Sequence, residues 1–166
     1  MTDLASPPVL RPGPHLRVGP VGLRDLDAVE ALWDRCSLDT RSRRFLGALA
    51  RASWLVGGGP ALSAPRLDLG AWVGDDLVGV GSVVSDGADV WEVALLVEDA
   101  RQQQGIGSRL TEELVAVASR RGVRRVVLTT PGDAAAVVRL VERYAARWEL
   151  VWSGSGVLEY HADLAA

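Results

Sequence analysis

The stretch that most constrains this fold covers residues 92–128 and reads EVALLVEDARQQQGIGSRLTEELVAVASRRGVRRVVL. An apolar run leads into a polar loop with two glycines, and a segment of about fifteen residues with apolar positions at helical spacing follows. Gly122 and a second apolar run come next, as expected where a helix ends and a strand begins. This order predicts two strands joined through a helix, a unit that builds parallel or mixed sheets. The apolar stripe of the predicted helix is Ile106, Leu110, Leu114, Val117 and Ala118.

The chain before this unit predicts a strand, two helices and a hairpin. A weak strand begins near His15, and a helix follows from Arg24 with apolar residues at three- and four-residue spacing. A second helix is predicted over residues 39–55. Gly74 marks the turn of a hairpin that covers residues 66–85. The predicted apolar face of the second helix carries Phe45, Leu46 and Leu49.

The chain after this unit completes the predicted fold. Asp133 is placed to cap a helix that runs to about Ala146, and residues 148–164 resemble a closing hairpin. The predicted fold is therefore α/β, with a mixed central β-sheet of six to seven strands flanked by about four helices. Residues 1–14 contain four prolines and predict a disordered tail, so residues 15–166 form the predicted domain.

Composition argues against several classes of function. The chain has 166 residues and a formal charge of -3 at pH 7, whereas nucleic-acid binding needs a basic field. Cys36 is the only cysteine, and the only histidines, His15 and His161, lie near opposite ends, so no metal site is expected. The first residues lack a signal-peptide pattern, and no apolar run is long enough to span a membrane. These features predict a cytoplasmic protein that binds neither nucleic acid nor membrane.

The loop before the central helix has the features of a phosphate-binding site. Where a loop enters a helix, backbone N–H groups lack intrahelical partners and the helix dipole favours an anion. A side chain at Gly105 or Gly107 would keep a phosphate away from this backbone. A dinucleotide fingerprint needs a third glycine and a P-loop needs a lysine, and both are missing here. A turn that needs glycine for packing alone is the alternative.

Residues 102–107, QQQGIG, and the order of the elements resemble the GNAT superfamily of acyl-CoA-dependent N-acyltransferases, whose motif is Gln/Arg-x-x-Gly-x-Gly/Ala. The resemblance covers residues 15–164 and implies acetyl-CoA as the cosubstrate, without a metal. It implies that main-chain amides of the loop hold the pyrophosphate and that the preceding strand pairs with the pantetheine arm. The cofactor-binding residues that the resemblance implies are Leu95, Leu96, Val97, Gln102, Gln103, Gln104, Gly105, Ile106, Gly107, Ser108, Arg109 and Asp133.

Glu92 interrupts the apolar strand that precedes the loop. A charge there is costly unless it is paired or used, and alternation places it on one face with Val90, Ala94 and Leu96. Acyl transfer needs an amine with a free lone pair, and a partly buried glutamate has a raised pKa that suits it to accept the amine proton. Residues 91–94 resemble the Ala-Glu-x-Ala segment that carries the general base in actinobacterial protein-lysine acetyltransferases of this superfamily. The alternative is a strand-end glutamate in solvent or in an ion pair.

Further positions are weaker candidates. The segment RCSLDTRSRRFLGAL follows in outline a Leu-Ser-x-Glu-Ser-x-x-x-Arg-Phe-Phe pattern of the same lysine-acetylating group. Many family members carry a catalytic tyrosine on the last helix, but Arg143 occupies that position and Tyr144 is one residue off. Trp54 lies beside a glycine-rich loop, a connector or a substrate lid, and is the best aromatic candidate for a substrate contact. The residues of this chain that match the Leu-Ser-x-Glu-Ser-x-x-x-Arg-Phe-Phe pattern in outline are Ser37, Arg44, Phe45 and Gly47.

These features together predict an enzyme that moves an acetyl group from acetyl-CoA to a primary amine, with Glu92 as general base. The acceptor is either a protein lysine or a small molecule. A non-catalytic acyl-CoA-binding sensor or scaffold would keep the loop and lose the base or the acceptor site. A nucleotide-binding regulator would use the same loop for ATP or NAD, although the missing third glycine and lysine count against it. The terminal hairpin could also pair across a homodimer.

Overall fold

The computed structural model describes residues 15–60, 63–85, 90–132 and 148–164, which contain seven strands in one sheet. The strands are β1 Leu16–Pro20, β2 Arg66–Val73, β3 Asp76–Ser85, β4 Val90–Val97, β5 Arg125–Pro131, β6 Glu149–Gly154 and β7 Val157–Asp163. Across the sheet they follow the order β1-β2-β3-β4-β5-β7-β6. Of the described strand pairs, β4 and β5 run parallel and the others antiparallel. The prediction of an α/β fold with a mixed sheet is confirmed.

Three α-helices lie in the described part of the chain, two of them before β2 and one between β4 and β5. They are α1 Leu26–Arg35, α2 Leu38–Arg44 and α3 Ile106–Arg120, and short 3-10 helices cover Leu23–Asp25, Ala52–Val56 and Asp99–Arg101. The predicted helix over residues 133–146, its cap Asp133 and the predicted tail of residues 1–14 lie outside the described residues. None of the described helices combines the length and the apolar character that crossing a bilayer requires.

The sheet is covered on both faces because its central strands carry apolar side chains on both sides. Helix α3 packs on one face, where Leu114 is fully buried. It approaches closely because Gly81 of β3 has no side chain: a Cβ there would lie 2.6 Å from Leu114 Cδ1. Helix α1 and the 3-10 helix Ala52–Val56 cover the opposite face through Leu32 and Leu55, which are also fully buried.

The prediction of a second helix over residues 39–55 is wrong in its length. Helix α2 ends at Arg44, where the N–H of Gly47 donates to an α2 carbonyl five residues earlier at 2.8 Å. Leu46 adopts a left-handed φ of 50° between them. This arrangement is a Schellman cap, which satisfies the last helical carbonyls and turns the chain away from the helix axis. Leu46 and Leu49, predicted on a buried face, are instead 50% and 96% exposed.

The contrast between Leu114 and Leu49 gives a direct test of this packing. Replacing the fully buried Leu114 with alanine should lower the free energy of unfolding by about 2–5 kcal/mol, because the substitution leaves a cavity. Leu49→Ala, at a side chain that is 96% exposed, should change it by less than about 0.5 kcal/mol. Urea titrations of both variants measure the two values. A large loss for Leu49→Ala would contradict the short α2.

Candidate functional site

The candidate site begins where β4 and β5 stop pairing. Strand β5 pairs with residues 90–93 of β4, whereas β3 stays paired with the other edge of β4 as far as Val97. Strand β5 itself continues along β7 to Pro131. The two parallel strands therefore separate, and the backbone of residues 95–97 has no partner in β5. Since backbone N–H and C=O groups need partners, this edge can pair with a ligand that carries amides.

The loop that follows β4 presents an open backbone at the start of α3. Gly105 is the N-cap residue with a left-handed φ of 83°, and Gln103 has a φ of 61°. A Cβ at Gly105 or Gly107 would meet nothing within 4 Å, so a ligand can reach the main chain here. The first amides of a helix have no intrahelical partner, and in α3 the N–H of Arg109 donates to the Gly105 carbonyl at 3.0 Å. The start of α3 therefore leaves main-chain N–H groups accessible, an arrangement that favours an anion.

Helix α2 is fastened to this loop by hydrogen bonds. Asp99 accepts from the Ser37 N–H and the Ser37 Oγ, each at 2.8 Å, and from Thr40 Oγ1 at 2.9 Å. Gln102 Nε2 donates to Thr40 Oγ1 at 3.2 Å and to the Val97 carbonyl at 3.1 Å. Partial desolvation raises the pKa of Asp99, but the hydrogen bonds from Ser37 and Thr40 together bring this pKa below its ordinary value. The first turn of α2 thus depends on the loop.

An ion pair between the exposed Arg35 and the buried carboxylate of Glu98 holds the start of the loop against α1 and β3. Glu98 is only 6% exposed, and Arg35 of α1 donates from Nε to its Oε2 at 2.5 Å. Arg35 also donates from Nη2 to the Leu77 carbonyl of β3, and Arg101 Nε lies 3.5 Å from Glu98 Oε1. Removing Arg35 would leave the buried Glu98 carboxylate without its shortest ion-pair contact. The pair therefore determines where the chain leaves β4.

A cavity of about 160 Å³ opens on the face of the sheet that α1 covers, beside the end of α2. Glu92 and Ala94 reach it from β4, and Trp54 reaches it from a 3-10 helix. The prediction that Glu92 is partly buried is wrong: the residue is exposed, because the apolar cluster under α1 ends at Leu96 and Val80 and the cavity begins there. The cavity is lined by Arg44, Phe45, Trp54, Gly59, Pro60, Arg66, Val84, Glu92 and Ala94.

Arg44 brings a positive charge into the cavity that Glu92 lines. Its Nε is fully buried without a hydrogen-bond partner among the described residues, and its Cζ lies 4.6 Å from the centre of the Phe45 ring. Burial lowers the pKa of Arg44 to about 10, while the negative charge of Glu92 acts in the opposite direction. Both residues belong to the described part of the chain, and no ion pair within 4.0 Å joins them. The cavity therefore holds a cation and an anion at separate positions.

The second arginine of the cavity is neutralised by a neighbour. Arg66 donates from Nε and Nη2 to the two carboxylate oxygens of Asp68 at 2.7 and 2.6 Å, and from Nη2 to the Leu55 carbonyl at 3.0 Å. This pair is not among the sequence-predicted site residues. The sequence nevertheless indicates this pair, because two charged residues two positions apart in an apolar strand have their side chains on the same face.

The structure brings together some of the sequence-predicted residues and separates others. Glu92 and Trp54 line one cavity, while residues 102–108 lie at the start of α3. Arg109 Nη2 pairs with Glu113 Oε1 at 2.6 Å on its own helix, so its charge is shared with that carboxylate. In the described ranges, no three His, Cys, Asp or Glu side chains are placed to hold a metal ion. The candidates outside the described residues are Asp133, Arg143 and Tyr144.

The site lies in a region of the chain that matches a known family. A family model described as the Acetyltransferase (GNAT) family matches residues 26–146. That range contains the β4–β5 gap, the loop before α3 and the residues that line the cavity. A comparison with curated protein sequences gives no match.

Solved structures share this fold across almost the whole chain. The GNAT domain of S. lividans PAT has a TM-score of 0.74 at 24% identity, over 90% of this chain and 90% of that one. The ribosomal-protein-S18-alanine N-acetyltransferase from Escherichia coli has a TM-score of 0.69 at 15% identity, with coverage of 92% and 96%. The PaiA N-acetyltransferase from Thermoplasma acidophilum, in complex with coenzyme A, has a TM-score of 0.62 at 13% identity, with coverage of 90% and 99%. At these identities the likeness supports the fold.

The Asp99 carboxylate, which joins α2 to the loop, should contribute to the free energy of unfolding in a way that depends on pH. Asp99→Asn should lower the free energy of unfolding at neutral pH by about 1 kcal/mol, because hydrogen bonds to a charged acceptor are weakened. The folded-state pKa of Asp99 is below its unfolded value, so its contribution is present above the unfolded pKa and is lost as the pH falls through the folded one. The difference in Tm between the wild type and Asp99→Asn should therefore be constant near neutral pH and shrink below about pH 4. Thermal unfolding across this range measures it, and an undiminished difference at about pH 3 would contradict the ionised role.

Proposed function

The chain belongs to the acetyltransferase (GNAT) family, and from this premise we propose that it moves an acetyl group from acetyl-CoA to a primary amine, with Glu92 as general base. The order of features along β4 supports the proposal. Glu92 reaches a cavity, the backbone of residues 95–97 faces the gap beside β5, and the open loop at Gly105 follows. At about 3.4 Å per residue, Glu92 and Val97 lie about 17 Å apart along the strand. An elongated cosubstrate can therefore reach from the loop to the cavity.

The residues of the loop and of β4 fit coenzyme A by their chemistry. The N–H of Gln102 donates to the Asp99 carbonyl at 3.3 Å, so main-chain amides of residues 103–108 would hold its pyrophosphate, since the positions of a Cβ on Gly105 and Gly107 are open space. The backbone of residues 95–97 would pair with the amides of the pantetheine arm. When bound, acetyl-CoA supplies a thioester carbonyl: the amine nitrogen forms a C–N bond, the C–S bond breaks, and CoA leaves as its thiol.

Glu92 supplies the negative charge and the proton acceptor that an amine needs. Alkyl amines are protonated near neutral pH, and a carboxylate beside the ammonium both holds the cation and accepts its proton, directly or through water. The exposure of Glu92 allows water to take part in this transfer. A protein lysine and a small-molecule amine both meet this requirement, so the base alone does not select between them.

Because the space at Gly107 is open, a substitution there can weaken acetyl-CoA binding without lowering the free energy of unfolding. Gly107→Asp should weaken acetyl-CoA binding at least about tenfold, because a carboxylate would occupy the phosphate position and repel it. The same carboxylate lies at a helix N-terminus, so the free energy of unfolding should stay unchanged or rise by about 0.3–1 kcal/mol. Calorimetry measures the binding, and thermal unfolding measures the stability.

Gly107→Ala is the matched control for this experiment: it adds a methyl group without a charge, so it should weaken acetyl-CoA binding much less than Gly107→Asp does. Calorimetry of the wild type with acetyl-CoA, CoA and ATP tests the ligand class. Unimpaired binding by Gly107→Asp would place the pyrophosphate elsewhere. Absence of CoA binding by the wild type would end the proposal, and binding of ATP as tight as that of CoA would favour a nucleotide-binding regulator.

Glu92→Gln keeps the size of the side chain and removes its charge. The kcat of acetyl transfer should fall about 10²-fold or more, while acetyl-CoA binding should be unchanged, because Glu92 lies away from the loop. The loss should shrink as the pH rises, because more of the amine is then already deprotonated. Steady-state release of CoA with a panel of amines measures the effect. If Glu92→Gln keeps the kcat of the wild type, Glu92 is not the general base. If the wild type acetylates no amine, a non-catalytic acyl-CoA-binding sensor or scaffold is favoured.

A further inference from the structure

The cavity contains a positive charge that the binding of an amine does not require. A single carboxylate is enough to hold and deprotonate an ammonium group, yet Arg44 brings a guanidinium into the cavity that Glu92 lines. Its Nε is fully buried and makes no hydrogen bond within the part of the chain that the structure describes. A buried donor without a partner is costly, and an arginine adds a full charge to that cost. A group of the ligand that accepts hydrogen bonds from Arg44 would remove this cost.

Of the described carboxylates, Asp68 and Glu92 act on Arg44, and neither of them neutralises it. The carboxylate of Asp68 is already held by Arg66, at 2.7 Å to Nε and 2.6 Å to Nη2. Glu92 attracts Arg44 electrostatically, but these two described side chains are not joined by an ion pair within 4.0 Å. Apart from Arg66, which is paired with Asp68, the described lining of the cavity therefore presents one cation and one anion at a distance from each other. The complement of such a cavity is a small zwitterion.

We infer that the acceptor is a free α-amino acid, whose carboxylate binds Arg44 while its amino group meets Glu92. The inference rests on the proposed function, because it names the acceptor of the same site. Contacts between arginine and carboxylate are charge-assisted and often bidentate, so they would also orient the amine. A lysine side chain on a protein would bring another cation into the cavity and leave Arg44 without an anion.

The size and the lining of the cavity agree with a compact amino acid that has an apolar side chain. The volume of about 160 Å³ is close to the about 150 Å³ of a protein cavity that binds benzene. Phe45 and Trp54 form an aromatic wall with ring centroids 6.1 Å apart, and Val84 and Ala94 add apolar surface. An aromatic or branched aliphatic side chain would bury apolar area against this wall.

The experiment compares an amino acid with amines that have no free carboxylate beside the amino group. Every proteinogenic L-amino acid is screened for release of CoA from acetyl-CoA, and the best acceptor is compared with its amide, its decarboxylated amine and a lysine-containing peptide. The kcat/KM of the amino acid should exceed that of each comparator at least about tenfold. Arg44→Gln should remove most of this preference, chiefly by raising KM for the amino acid, and Arg44→Lys should restore part of it.

Arg43→Gln is the matched control, because Arg43 neighbours Arg44 on α2 and pairs with Asp39 at 2.7 Å instead of lining the cavity. This variant should keep the preference for the amino acid. The inference is overturned if the amide, the amine or the peptide is the better acceptor. It is equally overturned if Arg44→Gln retains the preference while it folds and binds acetyl-CoA like the wild type.

Failure of the proposed function can be distinguished from failure of this inference. If the wild type binds acetyl-CoA but acetylates no amine, the proposed function fails, and calorimetry with the CoA-loaded protein then decides the inference. Binding of an amino acid that is lost in Arg44→Gln supports the carboxylate site, and absence of binding in the wild type overturns it. Cys36 is the only protein thiol, and burial raises its pKa to about 11, so a thiol reagent near neutral pH detects the released CoA.

Discussion

The separation of β4 from β5 after Val93 is the constraint on which the rest of the site depends. Strand β3 remains paired with β4 as far as Val97, so the sheet holds the whole strand in place. Because β5 follows β7 instead, residues 95–97 keep one edge without a β5 partner on a strand that β3 holds in place. A cosubstrate can pair with backbone groups that are already ordered, so little further conformational entropy is lost on binding.

Helix α2 connects the two ends of the site. Its first turn is bonded to Asp99 and Gln102 in the loop, and its last residue, Arg44, enters the cavity. A helix of seven residues is not stable in isolation, so its position depends on contacts such as these. The loop before α3 and the cavity that Glu92 lines are therefore linked through one short element. The charges that would orient an acceptor are set by the same contacts that shape the loop.

Local patterns are sufficient to predict the strands and α3, but not α2. Helical periodicity reports a single covered face, and four of the five predicted stripe residues of α3 are buried, with Val117 half-buried. The helical pattern of α2 continues beyond Arg44, where the chain instead forms a Schellman cap through Leu46 and Gly47. A left-handed leucine is unfavourable by itself, so this cap leaves only a weak signal in the sequence.

The sequence by itself determined the order of the elements, the glycine loop at the start of α3 and the shared face of Glu92 and Ala94. These features depend on residues that are close together in the chain and on the periods of helix and strand. The tertiary structure alone decided that the Glu92 carboxylate is exposed and that Arg44, Trp54 and Arg66 share its cavity. Those residues come from separate elements, and their neighbours follow from strand order and from where α2 ends. The exposure of Glu92 and the grouping of these side chains arise from such long-range contacts, which no local pattern encodes.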